Sequence, residues 1–296
     1  MSKKIKLAKH SGFCYGVKRA VETVKKLKVQ NPDKDVFILG ELIHNSHVIN
    51  ELEALGIKTI TEIPSQGTGI CVVRSHGASP EIFEQITSAG FELVDLTCPD
   101  VKKVQKKAIQ LVQEGCFLII VGKAEHPEVI AIKASAERFG SDIFVASDVS
   151  QLQQIEEKIK NHKKVGVVIQ TTQRITTLNK IVEYLNSLSI DLTVANTICA
   201  STTLRQNEAK ELAEESDLII VVGSKKSANT THLAEILKNI SKTIHIEDDK
   251  ELESYENIIT DAENISITAG ASTPENIIQN VINKLKGEKN DNNCKN

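Results

Sequence analysis

The chain has 296 residues, enough to bury a large core and, by length alone, about two domains. Its net charge of −3 excludes the basic stripe of a nucleic-acid binder and gives no sign of an acidic tail. Tryptophan is absent and aromatics make up only 3%, so Val, Ile, Leu and Ala must fill the interior, as in parallel strands covered by helices.

The longest apolar runs, Cys116-Phe-Leu-Ile-Ile-Val121 and Leu218-Ile-Ile-Val-Val222, are too short to cross a bilayer. Met1-Ser-Lys-Lys-Ile5 is not followed by the apolar stretch of an export signal. The expectation is a cytoplasmic α/β protein with no membrane or nucleic-acid partner. Its six cysteines would serve metal or redox chemistry rather than disulfides.

In chain order, His10-Ser-Gly-Phe-Cys-Tyr-Gly-Val-Lys-Arg-Ala20 places Cys14 at a helix start. Val36-Phe-Ile-Leu-Gly40 reads as a strand, followed by His44, Asn45 and a helix to Gly56. Gly69-Ile-Cys-Val-Val73 is a second strand, leading to Arg74-Ser-His76 and another helix. Leu93 to Thr97 reads as a buried strand, and Cys98 stands at its switch to a helix. Pro99 fits the first helical position there, and Val101, Val104, Ala108 and Leu111 keep helical spacing.

The same construction recurs. Phe117-Leu-Ile-Ile-Val-Gly122 leads to His126-Pro-Glu128 and a helix ending near Gly140, and Val165–Ile169 leads to Gln170-Thr171-Thr172 and a helix around 178–185. Cys199 then precedes a helix. Leu218–Gly223 leads to Ser227-Ala-Asn229 and a helix over 232–240, and Ile265–Thr268 leads to Ser272 and a helix to Leu285. Each cysteine is followed at nearly constant spacing by the glycine ending a strand: Gly40, Gly122 and Gly223. His44, His126 and Ser227 each stand four residues after that glycine.

Strands alternating with helices predict parallel sheets with right-handed crossovers. The expected domains are 1–97, 98–195 and 196–286, three similar α/β units whose strand ends face one another, with 287–296 a polar, disordered tail. Ligands of such sheets gather beyond the carboxyl ends of the strands, where these polar residues fall.

A threefold arrangement would bring Cys14, Cys98 and Cys199, each at the positive end of a helix dipole, to one centre. Three soft thiolates suit zinc, copper(I) or an iron–sulfur cluster and leave a coordination position open. A 4Fe-4S cluster so held would expose its fourth iron. Cys71, Cys116 and Cys294 are read as packing or tail residues. His44, His76, His126, Thr171, Thr172, Ser227, Asn229 and Ser272 would line one pocket with donors suited to a phosphate or diphosphate. Glu128 is the acid best placed to deliver protons there. The Walker and dinucleotide glycine fingerprints are both absent from the sequence.

The motifs Gly12-Phe-Cys-Tyr-Gly-Val-Lys-Arg-Ala20, Gly40-Glu-Leu-Ile-His-Asn45, Arg74-Ser-His-Gly77, Thr97-Cys-Pro99, His126-Pro-Glu128, Gln170-Thr-Thr172, Asn196-Thr-Ile-Cys199 and Thr268-Ala-Gly-Ala-Ser272 together resemble the LytB family, from about Phe13 to about Leu285. The resemblance implies a trefoil of three α/β domains around a central 4Fe-4S cluster. It also implies the last step of the methylerythritol phosphate route to isoprenoids. There 4-hydroxy-3-methylbut-2-enyl diphosphate loses its hydroxyl reductively, giving isopentenyl and dimethylallyl diphosphates.

By that resemblance Cys14, Cys98 and Cys199 hold the cluster, whose open iron takes the substrate's alcohol oxygen. His44, His76, Ser227, Asn229 and Ser272 match diphosphate-binding positions, Glu128 and Thr171 match a proton relay, and His126 contacts substrate between them. Electrons arrive singly, through ferredoxin or flavodoxin. Ala228 departs from the family's Ser-Ser-Asn run and removes one hydroxyl. Two other readings of the residues remain at this point, an iron–sulfur sensor or regulator and a thiolate-zinc hydrolase.

Overall fold

The computed structural model describes residues 3–288. It begins with β1 (Lys4–Leu7) and α1 (Tyr15–Gln30). Then follow β2 (Val36–Leu39), α2 (Ser46–Ala54), β3 (Ile57–Ile60), β4 (Ile70–Val73), α3 (Pro80–Ser88) and β5 (Glu92–Asp95). The middle of the chain forms α4 (Pro99–Gln113), β6 (Phe117–Val121), α5 (Pro127–Glu137), β7 (Ile143–Ala146), α6 (Val149–Gln153), α7 (Glu156–Lys160), β8 (Lys164–Ile169), α8 (Ile175–Ser187) and β9 (Asp191–Val194). It closes with α9 (Ala200–Glu214), β10 (Leu218–Val222), α10 (Ala228–Leu237), β11 (Thr243–Ile246), α11 (Glu256–Asp261), β12 (Asn264–Ala269) and α12 (Glu275–Lys286).

The strands make three four-stranded, wholly parallel sheets, ordered β3-β2-β4-β5, β7-β6-β8-β9 and β1-β12-β10-β11. This is the α/β class expected. Why the central strands read as continuous apolar runs is visible in β6. Phe117, Ile119 and Val121 enter the core under α8, while Leu118 and Ile120 enter the core under α4 and α5. In β10, Leu218, Ile220 and Val222 pack under α12, and Ile219 and Val221 under α9 and α10. Both faces are covered, so neither can be polar.

Two expectations need correction. Lys4–Leu7 pairs with β12, Lys4 opposite Asn264, so a strand from within residues 1–97 completes the third sheet. The stretch before Cys98 forms β5 as a partly exposed edge strand rather than a buried one, with its outer side open to water.

The chain divides into two compact units, one of Met1–Lys18, His44–Val48 and Ala200–Asn296, the other of Arg19–Ile43 and Ile49–Cys199. The second unit contains both the first and second sheets. Of the expected tail, 289–296, including Cys294, lies outside the described residues. Among the described residues no helix is long and apolar enough to cross a membrane.

Candidate functional site

Each candidate cysteine is the last residue before a long helix: Cys14 before α1, Cys98 before α4 and Cys199 before α9. Cys98 is extended, at φ −58° and ψ 136°, because Pro99 at the first helical position forces the preceding residue out of the helical region.

The same backbone bond anchors all three. The Cys98 N–H donates to the carbonyl of Ser75 at 2.9 Å, Cys199 N–H to Thr171 at 3.1 Å, and Cys14 N–H to Ala271 at 3.1 Å. Each acceptor lies in the loop just beyond a central strand, beside or within the polar residues picked out above. Thus Cys98 is tied to the His76 loop, Cys199 to Thr171 itself and Cys14 to the Ser272 loop. The Val17 N–H, in the first turn of α1, also points at the Cys14 sulfur at 3.5 Å.

None of the five described cysteines forms a disulfide. The candidates are half-buried, whereas Cys71 and Cys116 are sealed in the sheet cores. Burial pushes the Cys71 thiol up to about 11 and raises Cys116 as well, so both remain thiols. Among the described cysteines, those left to bind a metal are the ones at the helix starts.

In the second unit, β6 and β8 end side by side. His126, four residues past Gly122, caps α5: its Nδ1 accepts the Glu128 N–H at 3.1 Å. In the neutral ring the proton then sits on Nε2. The His126 and His76 rings meet edge to face, centroids 5.5 Å apart.

Glu128 lies in the first turn of α5 yet is only 2% exposed. Thr171 binds both its oxygens, N–H to Oε1 at 2.7 Å and Oγ1–H to Oε2 at 2.8 Å. Burial raises its pKa to about 7, the Thr171 bonds opposing that rise without cancelling it. An ordinary first-turn glutamate would be exposed and fully ionised at neutral pH. Thr172 is half-buried and accepts from Gln170 Nε2 at 3.1 Å.

The first unit carries Cys14, His44, Ser227, Asn229 and Ser272. Asn45 accepts from the N–H groups of His47 and Val48, which sets the start of α2 immediately after His44. Ser272 Oγ donates to the His44 carbonyl at 3.4 Å. Ser227 caps α10, and Asn229, 5% exposed, has its Nδ2 donor buried without a partner. A buried donor left unsatisfied is costly and points to a missing acceptor.

Ala228 is the first residue of α10, so the missing hydroxyl leaves a backbone N–H at that helix start. His245 bonds to the Gly223 carbonyl at 2.8 Å and His162 to that of Lys158 at 2.8 Å, so both are structural.

Sequence reasoning missed Arg205. It is 3% exposed and bridges two carbonyls, Gly12 at 3.0 Å and Ala269 at 2.7 Å, linking the Cys14 loop to the end of β12. The signal was present in the helical spacing: Thr202, Arg205, Gln206 and Ala209 form the buried side of α9, where an arginine needs a reason. The three carbonyl anchors of the cysteines carry no side-chain signal at all.

The LytB protein profile matches residues 5–286. The 4-hydroxy-3-methylbut-2-enyl diphosphate reductase of Geobacter sulfurreducens is 38% identical over 283 residues, 95% of this chain and 96% of that protein. The reductase of the same name from Syntrophotalea carbinolica is 38% identical over 285 residues, 95% and 98% of the two chains. A solved (E)-4-hydroxy-3-methyl-but-2-enyl diphosphate reductase, described as the terminal enzyme of the non-mevalonate pathway, superposes with a TM-score of 0.71. It is 35% identical and covers 96% of this chain and 99% of its own. The E-1-hydroxy-2-methyl-but-2-enyl-4-diphosphate reductase of Plasmodium falciparum gives 0.86 at 28% identity, covering 96% and 88%. With the profile spanning nearly the whole chain and such relatives aligned end to end, the chain belongs to the LytB family.

Proposed function

We propose that this chain is an oxidoreductase that removes the hydroxyl of 4-hydroxy-3-methylbut-2-enyl diphosphate, using two electrons and two protons to give water and isopentenyl or dimethylallyl diphosphate. The observation that carries the reading is Glu128, a sealed carboxyl group held near neutral pKa against Thr171.

Cys14, Cys98 and Cys199 would hold a 4Fe-4S cluster with one open iron. They stand half-buried at helix starts, whereas Cys71 and Cys116 are buried with their thiols raised by that burial. When bound, such a cluster supplies electrons one at a time and an electrophilic iron for the departing oxygen. A one-electron carrier of the ferredoxin or flavodoxin type would refill it.

The chain's own residues bind the diphosphate and move the protons. Ser227, Asn229 and Ser272, with His44 and His76, supply the diphosphate donors. The stranded Nδ2 of Asn229 gains an acceptor when substrate arrives. The protonated Glu128 carboxyl can pass its proton to Thr171 Oγ1 as that hydroxyl gives its own to the leaving oxygen, 2.8 Å being hydrogen-bond range. His126, fixed by the Glu128 N–H, presents Nε2–H toward the same chemistry. With a pKa of about 7, Glu128 can be reloaded at neutral pH.

Anaerobic turnover of the allylic alcohol diphosphate with a chemical reductant tests the reading. Glu128→Gln is expected to keep iron, sulfide and substrate affinity while losing most turnover. Normal turnover by that variant removes Glu128 from the proton path, and a colourless, zinc-loaded protein prepared without oxygen counts against the reductase.

A further inference from the structure

Every sheet has a crevice between its two central strands, and in the first two sheets one of these strands connects to one edge and the other to the opposite edge. In parallel sheets such a crevice is the customary ligand position. In each, a side chain from beyond one central strand packs on the glycine that ends the other.

Between β6 and β8, Gln170 (1% exposed) packs on Gly122 and donates to Thr172 at 3.1 Å. In the third sheet Thr273 lies over Gly223, its hydroxyl donating to the Val222 carbonyl at 3.0 Å.

The first sheet differs in that this side chain is a cation with open space beside it. The residue following β4 is Arg74, and beyond the ends of β2 and β4 a cavity of about 560 Å³ stays open. Its volume lies within the roughly 300–1,000 Å³ of small-molecule sites. Ile63, Val73 and Ile82 line it, with Ile130 and Glu62 also contributing. Arg74 is seated by Gly40: the glycine has φ +72°, and a Cβ there would stand 2.6 Å from a guanidinium nitrogen.

The guanidinium is half-buried, and burial lowers its pKa. Glu41 is felt electrostatically, but among the described residues no carboxylate reaches ion-pair distance. Gly77, Ala78 and Ser79 lead into the start of α3 along one wall, and the Ser79 side chain does not cap that helix. The Glu81 carboxylate, in the first turn of α3, takes a backbone N–H and the Ser79 hydroxyl there, so the positive charge of the site is that of Arg74.

We propose that this cavity binds a small amphipathic anion, a short branched apolar chain bearing one carboxylate or phosphate head, with the head on Arg74 and the chain against Ile63 and Ile82. An apolar lining with one under-solvated cation matches that ligand class. Glu62 in the lining disfavours heads of high charge. No residue of this site takes part in the proposed reduction, so the two readings stand or fall separately.

The test is calorimetric titration of the anaerobic holoprotein with 3-methylbutyl phosphate, 4-methylpentanoate and inorganic phosphate, each repeated with saturating isopentenyl diphosphate present. One or both amphipathic probes are expected to bind one per chain and to persist beside isopentenyl diphosphate. Which of them binds identifies the head group. Binding should weaken at least tenfold in Arg74→Gln and in Ile82→Trp, which fills the cavity, and inorganic phosphate should bind at least tenfold more weakly than the better probe.

The proposal is overturned if neither amphipathic probe binds at millimolar concentration, if isopentenyl diphosphate displaces the probe, if inorganic phosphate binds as well, or if both variants bind as the parent does. A thermal melt checks each variant. If Arg74→Gln does not fold, Ile82→Trp decides alone.

Discussion

Thr171 grips both oxygens of Glu128, its amide on one and its hydroxyl on the other. Glu128 nevertheless has its pKa raised to about 7, because burial outweighs those two bonds. A carboxyl raised on folding adds stability that is fully present below its unfolded value, 4.5, and is lost as pH climbs through about 7. The full span corresponds to about 3 kcal/mol. Glu128→Gln keeps the shape without the charge, so it should melt higher than the parent at pH 8, by roughly 5 °C for a chain this size. The difference should vanish near pH 4.5. Melting curves across that window check the sign, and a variant less stable at pH 8 would reverse it.

Thr171→Val keeps the amide bond to Oε1 and deletes the hydroxyl. One of the two bonds lowering the Glu128 pKa disappears, so that pKa should rise further. Turnover should fall by about 10²–10⁴-fold, the range for losing a positioned proton-transfer group. KM should change little, and the pH–rate profile should move to higher pH.

The two classes of cysteine separate by metal content. Cys14→Ser, Cys98→Ser or Cys199→Ser should lose most iron and sulfide. Cys71→Ala and Cys116→Ala should retain both and lose about 1 kcal/mol of stability, the cost of a small cavity. Iron loss from Cys71→Ala at unchanged fold would undo the assignment.

Asn229 offers a cleaner probe of the proposed diphosphate site than Ser227, which also caps α10. Asn229→Ala removes a donor with no partner in the substrate-free protein. Substrate affinity should drop about 10–100-fold, as for a hydrogen bond to a charged group. The melting temperature without substrate should not fall. Equilibrium binding and a melt, measured together, separate this from general damage.

Much of this could be read from the sequence, and for identifiable reasons. The central strands announced themselves because burial on both faces leaves runs such as Leu218–Val222 wholly apolar. The strand-end glycines Gly40, Gly122 and Gly223 marked where side chains of the site begin.

Edge strands were another matter. Lys4–Leu7 alternates lysine with apolar residues and is mostly exposed, so nothing in it distinguishes a strand from a solvated leader, and nothing names β12 as its partner. The stretch ending at Asp95 looked buried because its apolar residues are contiguous, yet it has a neighbour on one side only. Glu128 could be chosen as the acid from its neighbours in sequence. Its raised pKa could not, since that follows from how completely the fold hides it.

The pairing of β1 with β12 bears on how the protein matures. β1 cannot dock until β12, far downstream in the sequence, has been made, because Lys4 lies opposite Asn264. Cys14 depends on the same late arrival, its amide being held by Ala271. Until then Cys14, one of the cysteines proposed for the cluster, has no fixed place. Assembly of the proposed cluster would then have to follow completion of the third sheet rather than precede it.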